Sequence, residues 1–138
     1  MSMSHDEAIA SMLIEGADDW VPLQSLIWHG TEVVERTGVS LETAVTDLLV
    51  AVGSAGLMRV GELTNTGFEL WPEAPDYNVS RVLEECRHFD WSPLGDGCWL
   101  ANTTEGNRLA AEYLAVERQH PSGPSVPGPA CSDQGPGR

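Results

Sequence analysis

Apolar positions along the first 118 residues recur mainly at helical spacing, with one alternating stretch near the middle. Ile9, Met12 and Leu13 form the stripe of a helix predicted over Ser4 to Ile14. Ser4 and Glu7 have the spacing of a capping box, and Gly16 marks the stop. A short acidic loop, Ala17-Asp18-Asp19-Trp20, leads to Pro22, a residue tolerated at the first position of a helix. Leu23, Leu26, Ile27, Gly30, Val33 and Val34 then share one face, as far as the turn Thr37-Gly38-Val39. Gly30 costs about 1 kcal/mol of helix propensity relative to Ala. It either permits a close helix crossing or splits the segment.

A third helix follows, capped by Ser40, with Glu42 near its positive end. Leu41, Ala44, Val45, Leu48, Leu49 and Val52 make its buried stripe, and Gly53 and Gly56 supply its stop. Leu57–Leu63 and Gly67–Trp71 read as two strands of a hairpin, because Thr64-Asn65-Thr66-Gly67 is good turn chemistry. Asp76 caps a fourth helix, with Val79, Val82, Leu83, Cys86 and Phe89 inward. The loop Asp90–Gly97 leads to a short strand, Cys98–Ala101. Thr103 caps a last helix carrying Leu109, Ala110, Tyr113 and Leu114.

The predicted fold class is α+β: mostly α, about five helices, with a small antiparallel element made of one hairpin and one short extra strand. Residues 1–118 form the domain. Residues 119–138, dominated by Pro, Gly and Ser, read as a disordered tail with little apolar surface to bury.

Three helices, a Gly-containing turn before the third and a hairpin straight after it resemble the winged helix-turn-helix superfamily. The segment from Trp99 to Ala110 resembles its strand, Leu-x-x-Thr-x-x-Gly, helix pattern, in which the Thr caps the helix and the Gly lets it approach the sheet. Here these are Leu100, Thr103 and Gly106. The likeness covers roughly residues 5–115. It implies a winged-helix-like fold, a scaffold that serves DNA binding in some members and protein interaction in others.

Charge changes that picture. Against 21 acidic residues there are only 7 basic ones, all Arg, for a formal net charge of −14. Asp133 and Arg138 cancel in the tail, so the excess belongs to the domain. Such a surface repels phosphate backbones and attracts cationic partners, although it also serves plain solubility. The face of the third helix that would enter a major groove carries Thr43, Thr46, Asp47 and Val50. Base reading and phosphate clamping favour Arg, Lys, Asn and Gln. The hairpin offers Arg59 but also Glu62 and Glu69.

Catalytic and metal chemistry find little support. Cys86, His88 and Cys98 lack a fourth ligand at zinc-site spacing, and the three cysteines (Cys86, Cys98 and Cys131) fit small thiols in a reducing compartment. Gly53-Ser54-Ala55-Gly56 ends a helix rather than opening one, so it is no phosphate loop. Neither a nucleophile elbow nor a calcium-loop pattern is present. No cofactor, metal or catalytic residue is therefore expected. The N-terminus has no basic segment of a secretory signal, and no apolar run approaches the roughly 20 residues of a membrane helix, so a cytoplasmic location is expected.

Five Trp are many beside two Phe and two Tyr. Trp28 and Trp99 are assigned to the core, and Trp20, Trp71 and Trp91 are left open between core and surface. The partner-binding candidates are Glu62, Glu69, Trp71, Glu73, Asp76, Glu84, Glu85, Asp90 and Trp91. These acids, with Asp18 and Asp19, form either one negative face or an ordinary solvated surface. The leading expectation is a non-catalytic acidic protein-interaction module that binds a basic protein, such as an inhibitor, immunity-type or adaptor protein. The alternatives are a DNA-binding regulator whose few Arg converge in a homodimer, and a small enzyme or enzyme subunit with no recognisable motif.

Overall fold

A computed structural model describes residues 3–119. In chain order its elements are α1 (Met3–Asp18), β1 (Val21–Pro22), α2 (Leu23–Thr37), α3 (Leu41–Ser54), β2 (Met58–Thr64), β3 (Gly67–Leu70), α4 (Pro75–His88), β4 (Trp99–Asn102) and α5 (Thr104–Gln119). The described residues thus form five helices and an antiparallel sheet of four strands, ordered β1-β4-β2-β3. The class is α+β, mostly helical. The tail lies outside the described residues except for Gln119, which ends α5.

Register sorts the sheet into two faces. Val21, Leu100, Val60 and Trp71 lie side by side across the four strands, the last through Trp71 N–H to the Val60 carbonyl at 2.9 Å. Val21, Leu100 and Trp71 are buried, so this row faces the helices. The adjacent row, Pro22, Trp99, Gly61 and Leu70, points the other way because successive strand residues alternate faces. Helical stripes close the core over the first row: Met12 and Leu13 from α1, Leu23, Leu26 and Val33 from α2, and Val45, Leu48 and Val52 from α3.

Local chemistry accounts for most boundaries. Ser40 Oγ accepts the Thr43 N–H at 3.1 Å and starts α3. Thr103 Oγ1 accepts the Gly106 N–H at 3.1 Å and starts α5. Gly38 ends α2 at φ 81°, a left-handed position that glycine takes without a Cβ penalty. Close approach explains two other glycines. Gly30 splits nothing: α2 is continuous, and a Cβ there would lie 2.7 Å from Val45 Cγ2 on α3. A Cβ at Gly106 would overlap the Leu57 carbonyl.

Several sequence-based boundaries are corrected. Pro22 is a strand residue and the N-cap of α2, not its first turn; its missing N–H costs nothing at the edge of the sheet. Helix α1 runs through Gly16 to Asp18, with Gly16 backed against the Asn102 side chain. Since α1 begins at Met3, Ser4 lies within it, and the Ser4 side chain of the expected capping box is outside the described residues. Gly53 lies inside α3, and the chain turns at Gly56, φ 68°. Helix α4 begins at Pro75 with Ala74 as N-cap, so Asp76 sits in its first turn and is not the cap. Trp28 is 57% exposed, because α2 buries its neighbours Leu26, Ile27, His29 and Gly30 instead. His29 is buried, and its Nε2 lies 3.0 Å from Glu15 Oε1 on α1.

Candidate functional site at the hairpin end

The hairpin, the segment after it and the start of α4 bring together part of the expected partner-binding set. Trp71 is only 4% exposed and cannot serve as a surface anchor. Its indole N–H donates to Glu62 Oε1 at 2.8 Å, and the Arg81 guanidinium lies 3.8 Å from its ring centroid. Arg81 also donates to the same Glu62 oxygen at 3.2 Å. Glu62, Trp71 and Arg81 are therefore a structural triad that fixes α4 against the hairpin. Arg81 was not anticipated; the signal for it is its place on α4, two turns after the Pro72–Pro75 segment.

Glu69 lies at the tip, where its Oε2 accepts the hydroxyls of Thr64 at 3.1 Å and Thr66 at 2.8 Å. Glu73 and Asp76 are among the residues lining a cavity of about 190 Å³ between the end of α3, β2 and the start of α4. Leu49, Val52, Val60 and Val79 supply apolar walls, with Arg59 among the polar lining. The Arg59 guanidinium donates to the Trp71 carbonyl at 2.9 Å. The volume is below the roughly 300–1,000 Å³ usual for a drug-sized ligand, and suits one side chain of a partner better.

The other candidates do not join this group. Glu85 turns inward, where its Oε1 accepts the Cys98 N–H at 2.8 Å and ties α4 to β4. Trp91, at φ 62°, is half-buried against the core, and its N–H donates to the Cys86 carbonyl at 2.7 Å. Glu85 is thus held by a contact inside the fold and Trp91 by its packing against the core. Glu84 and Asp90 are exposed, and their carboxylates have no partner among the described residues.

Charge pairing separates the cations. Arg36 meets Glu7 and Glu32, Arg81 meets Glu62, Arg87 meets Glu42, and Arg108 meets Glu105 and Glu112. With Arg59 on the Trp71 carbonyl, all five of these side chains are engaged within the protein. On α3, Thr43, Asp47 and Val50 are exposed and Thr46 is half-buried; Asp47 Oδ2 lies 3.4 Å from His5 Nε2 of α1.

Among the described residues no group of three or more His, Cys, Asp and Glu is placed to hold a metal ion. Cys86 and Cys98 are buried, free thiols. Burial, then the nearby Glu85 carboxylate, pushes the Cys86 thiol up to about 12 and raises Cys98 as well. Both folded-state values exceed the unfolded one, so the thiols leave stability intact below about pH 9, and stability falls as pH rises above it. The slope steepens through pH 9 and approaches roughly 1 kcal/mol per pH unit for each thiol by pH 10. Urea midpoints at pH 8, 9 and 10 check this. The decline should flatten in a Cys86→Ala/Cys98→Ala variant, and an equal decline in that variant would assign it to other groups.

No family model, no curated protein and no solved structure matches the chain. No helix among the described residues is long and apolar enough to cross a membrane.

Proposed function

We propose that this chain is a non-catalytic protein-interaction module on a winged-helix-like scaffold, binding a basic protein partner at its hairpin end. An inhibitor, immunity-type or adaptor protein fits this reading. The observation that carries it is the state of the cations: the described Arg side chains are engaged internally, while Glu73 and Asp76 stand free beside an apolar cavity. A duplex would meet an α3 face of Thr43, Thr46, Asp47 and Val50, with no cation to clamp phosphate. The order of three helices and a hairpin supports the scaffold reading, and with it the runner-up, a DNA-binding regulator.

One pair of assays separates the two. In a mobility shift with mixed duplex DNA at low salt, no retarded band is expected at micromolar protein. In a pull-down, a basic protein should be captured and released by rising salt. Each of Glu73→Gln, Asp76→Asn, Glu84→Gln and Asp90→Asn should weaken capture by about two- to fivefold, the scale of solvent-exposed ion pairs. Glu85 is left out because its removal would strain the α4–β4 contact. Salt-sensitive DNA binding, or capture indifferent to all four changes, overturns the proposal.

A further inference from the structure

We propose that β3 is a docking edge: an extended segment of the basic partner adds to it as a fifth strand. The partner would place apolar side chains beside Leu63, Phe68 and Leu70, and a Lys or Arg beside Glu69. This rests on the protein-interaction reading above and names the surface and the form of the partner.

The pairing pattern leaves the edge open. Trp71 N–H bonds the Val60 carbonyl at 2.9 Å, and the register sets Glu62 opposite Glu69 and Thr64 opposite Gly67. Antiparallel pairs alternate, so these three pairs carry the hydrogen bonds between β2 and β3. The N–H and C=O groups of Phe68 and Leu70 therefore point away from β2. Among the described residues, no strand lies beyond β3 in the sheet. Natural edges are often blunted by short length, charge, Pro or a bulge. Strand β3 (Gly67-Phe68-Glu69-Leu70) is short and carries one charge, Glu69, but has no Pro, Lys or bulge, and that charge selects a basic segment. The opposite edge, β1, has two residues and ends at Pro22, which lacks an N–H.

The side chains specify what fits. Leu63 and Leu70 are 49% and 46% exposed and lie on the outer face of the sheet. Phe68 shares that face. Its ring fills the place of a side chain at Gly61, with its centroid 4.5 Å from that of Trp20. An incoming strand would meet a fixed apolar platform on this side. On the other side it would meet Glu69, whose second carboxylate oxygen has no partner among the described residues. A second copy is disfavoured: antiparallel β3 pairing about its centre sets Glu69 opposite Glu69 between two chains of net charge −14. A basic segment turns that repulsion into attraction.

The test selects a displayed library of random dodecapeptides on the full chain, then titrates the enriched peptides into the ¹⁵N-labelled protein. Enriched sequences should alternate apolar residues with Lys or Arg. On binding, the Phe68 and Leu70 amides should show the largest shifts and at least tenfold slower hydrogen exchange. Leu70→Pro removes an outward N–H that the hairpin does not use, and should weaken binding at least tenfold while the Glu69 and Trp71 amides stay protected. Leu70→Thr keeps that N–H and should retain most of the binding. Should the Pro variant fail to fold, exchange protection in the unaltered chain still decides. The edge is ruled out if no peptide is enriched, if acidic peptides are enriched, if shifts fall elsewhere, if Leu70→Pro binds normally, or if the chain self-associates through Phe68 and Leu70. Normal peptide binding by Leu70→Pro, together with loss of partner capture in Glu73→Gln and Asp76→Asn, would remove the edge and leave the interaction reading standing.

Discussion

Replacing Trp71 with Ala is expected to lower the free energy of unfolding by about 3–5 kcal/mol, the usual cost of truncating a large buried aromatic residue. Three terms combine. The ring closes the end of the core row that runs from Val21 through Leu100 and Val60. Its N–H satisfies Glu62, and its face carries Arg81. A domain of this size has about 5–15 kcal/mol in total, so the change removes a large fraction of its stability. Trp71→Phe keeps a ring under Arg81 but loses some buried ring volume and the hydrogen bond to Glu62, which Arg81 still holds at 3.2 Å. It should cost about 1–2 kcal/mol. Urea unfolding followed by far-ultraviolet circular dichroism measures both. A Trp71→Ala variant of near-normal stability that has lost partner capture would return Trp71 to the role of a surface anchor.

Two Gly→Ala changes in helices should have opposite signs. Gly106→Ala is expected to destabilise by about 2–3 kcal/mol, because the added methyl overlaps a backbone carbonyl that cannot rotate away. That carbonyl, of Leu57, also accepts the Thr103 N–H at 2.9 Å, so moving it loosens the start of α5 as well. Gly53→Ala should instead stabilise by about 0.5–1 kcal/mol. A Cβ there meets nothing within 4 Å, and Ala is the better helix former. Denaturant midpoints of the two single variants, measured side by side, check the contrast. Equal effects would mean that α5 can slide off β2 without penalty.

The candidate site was only partly legible in the sequence. Glu62, Glu69, Trp71, Glu73 and Asp76 are close in the chain, and a hairpin followed by a helix start keeps them close in space. Which of them face solvent depended on register. Trp71 falls in the row of Val60 and Leu100 and is buried, whereas Leu70, one residue earlier, falls in the outer row and is exposed. Hydrophobicity alone ranks these two the other way for partner binding, since Trp is the commoner anchor. The internal contacts of Glu85 and Trp91 were hidden for a related reason. A carboxylate that accepts a backbone N–H from a distant strand, and a ring turned inward at a left-handed φ, have no local signature. The cation pairing was equally hidden, because Arg87 meets Glu42 and Arg36 meets Glu7 across different helices.

By itself the sequence determined the class of fold, the periods of the helical stripes, the Ser40 and Thr103 caps and the hairpin turn, because these depend on residues within a few positions of one another. It also determined the net charge. Tertiary structure decided the rest. Strand β1 is two residues long and exists only because β4 lies beside it, so no pattern could announce it. Trp28 was expelled and His29 buried by the angle at which α2 meets its neighbours. The open edge of β3 follows from strand order, and strand order is settled by long-range pairing, which no short window of sequence contains.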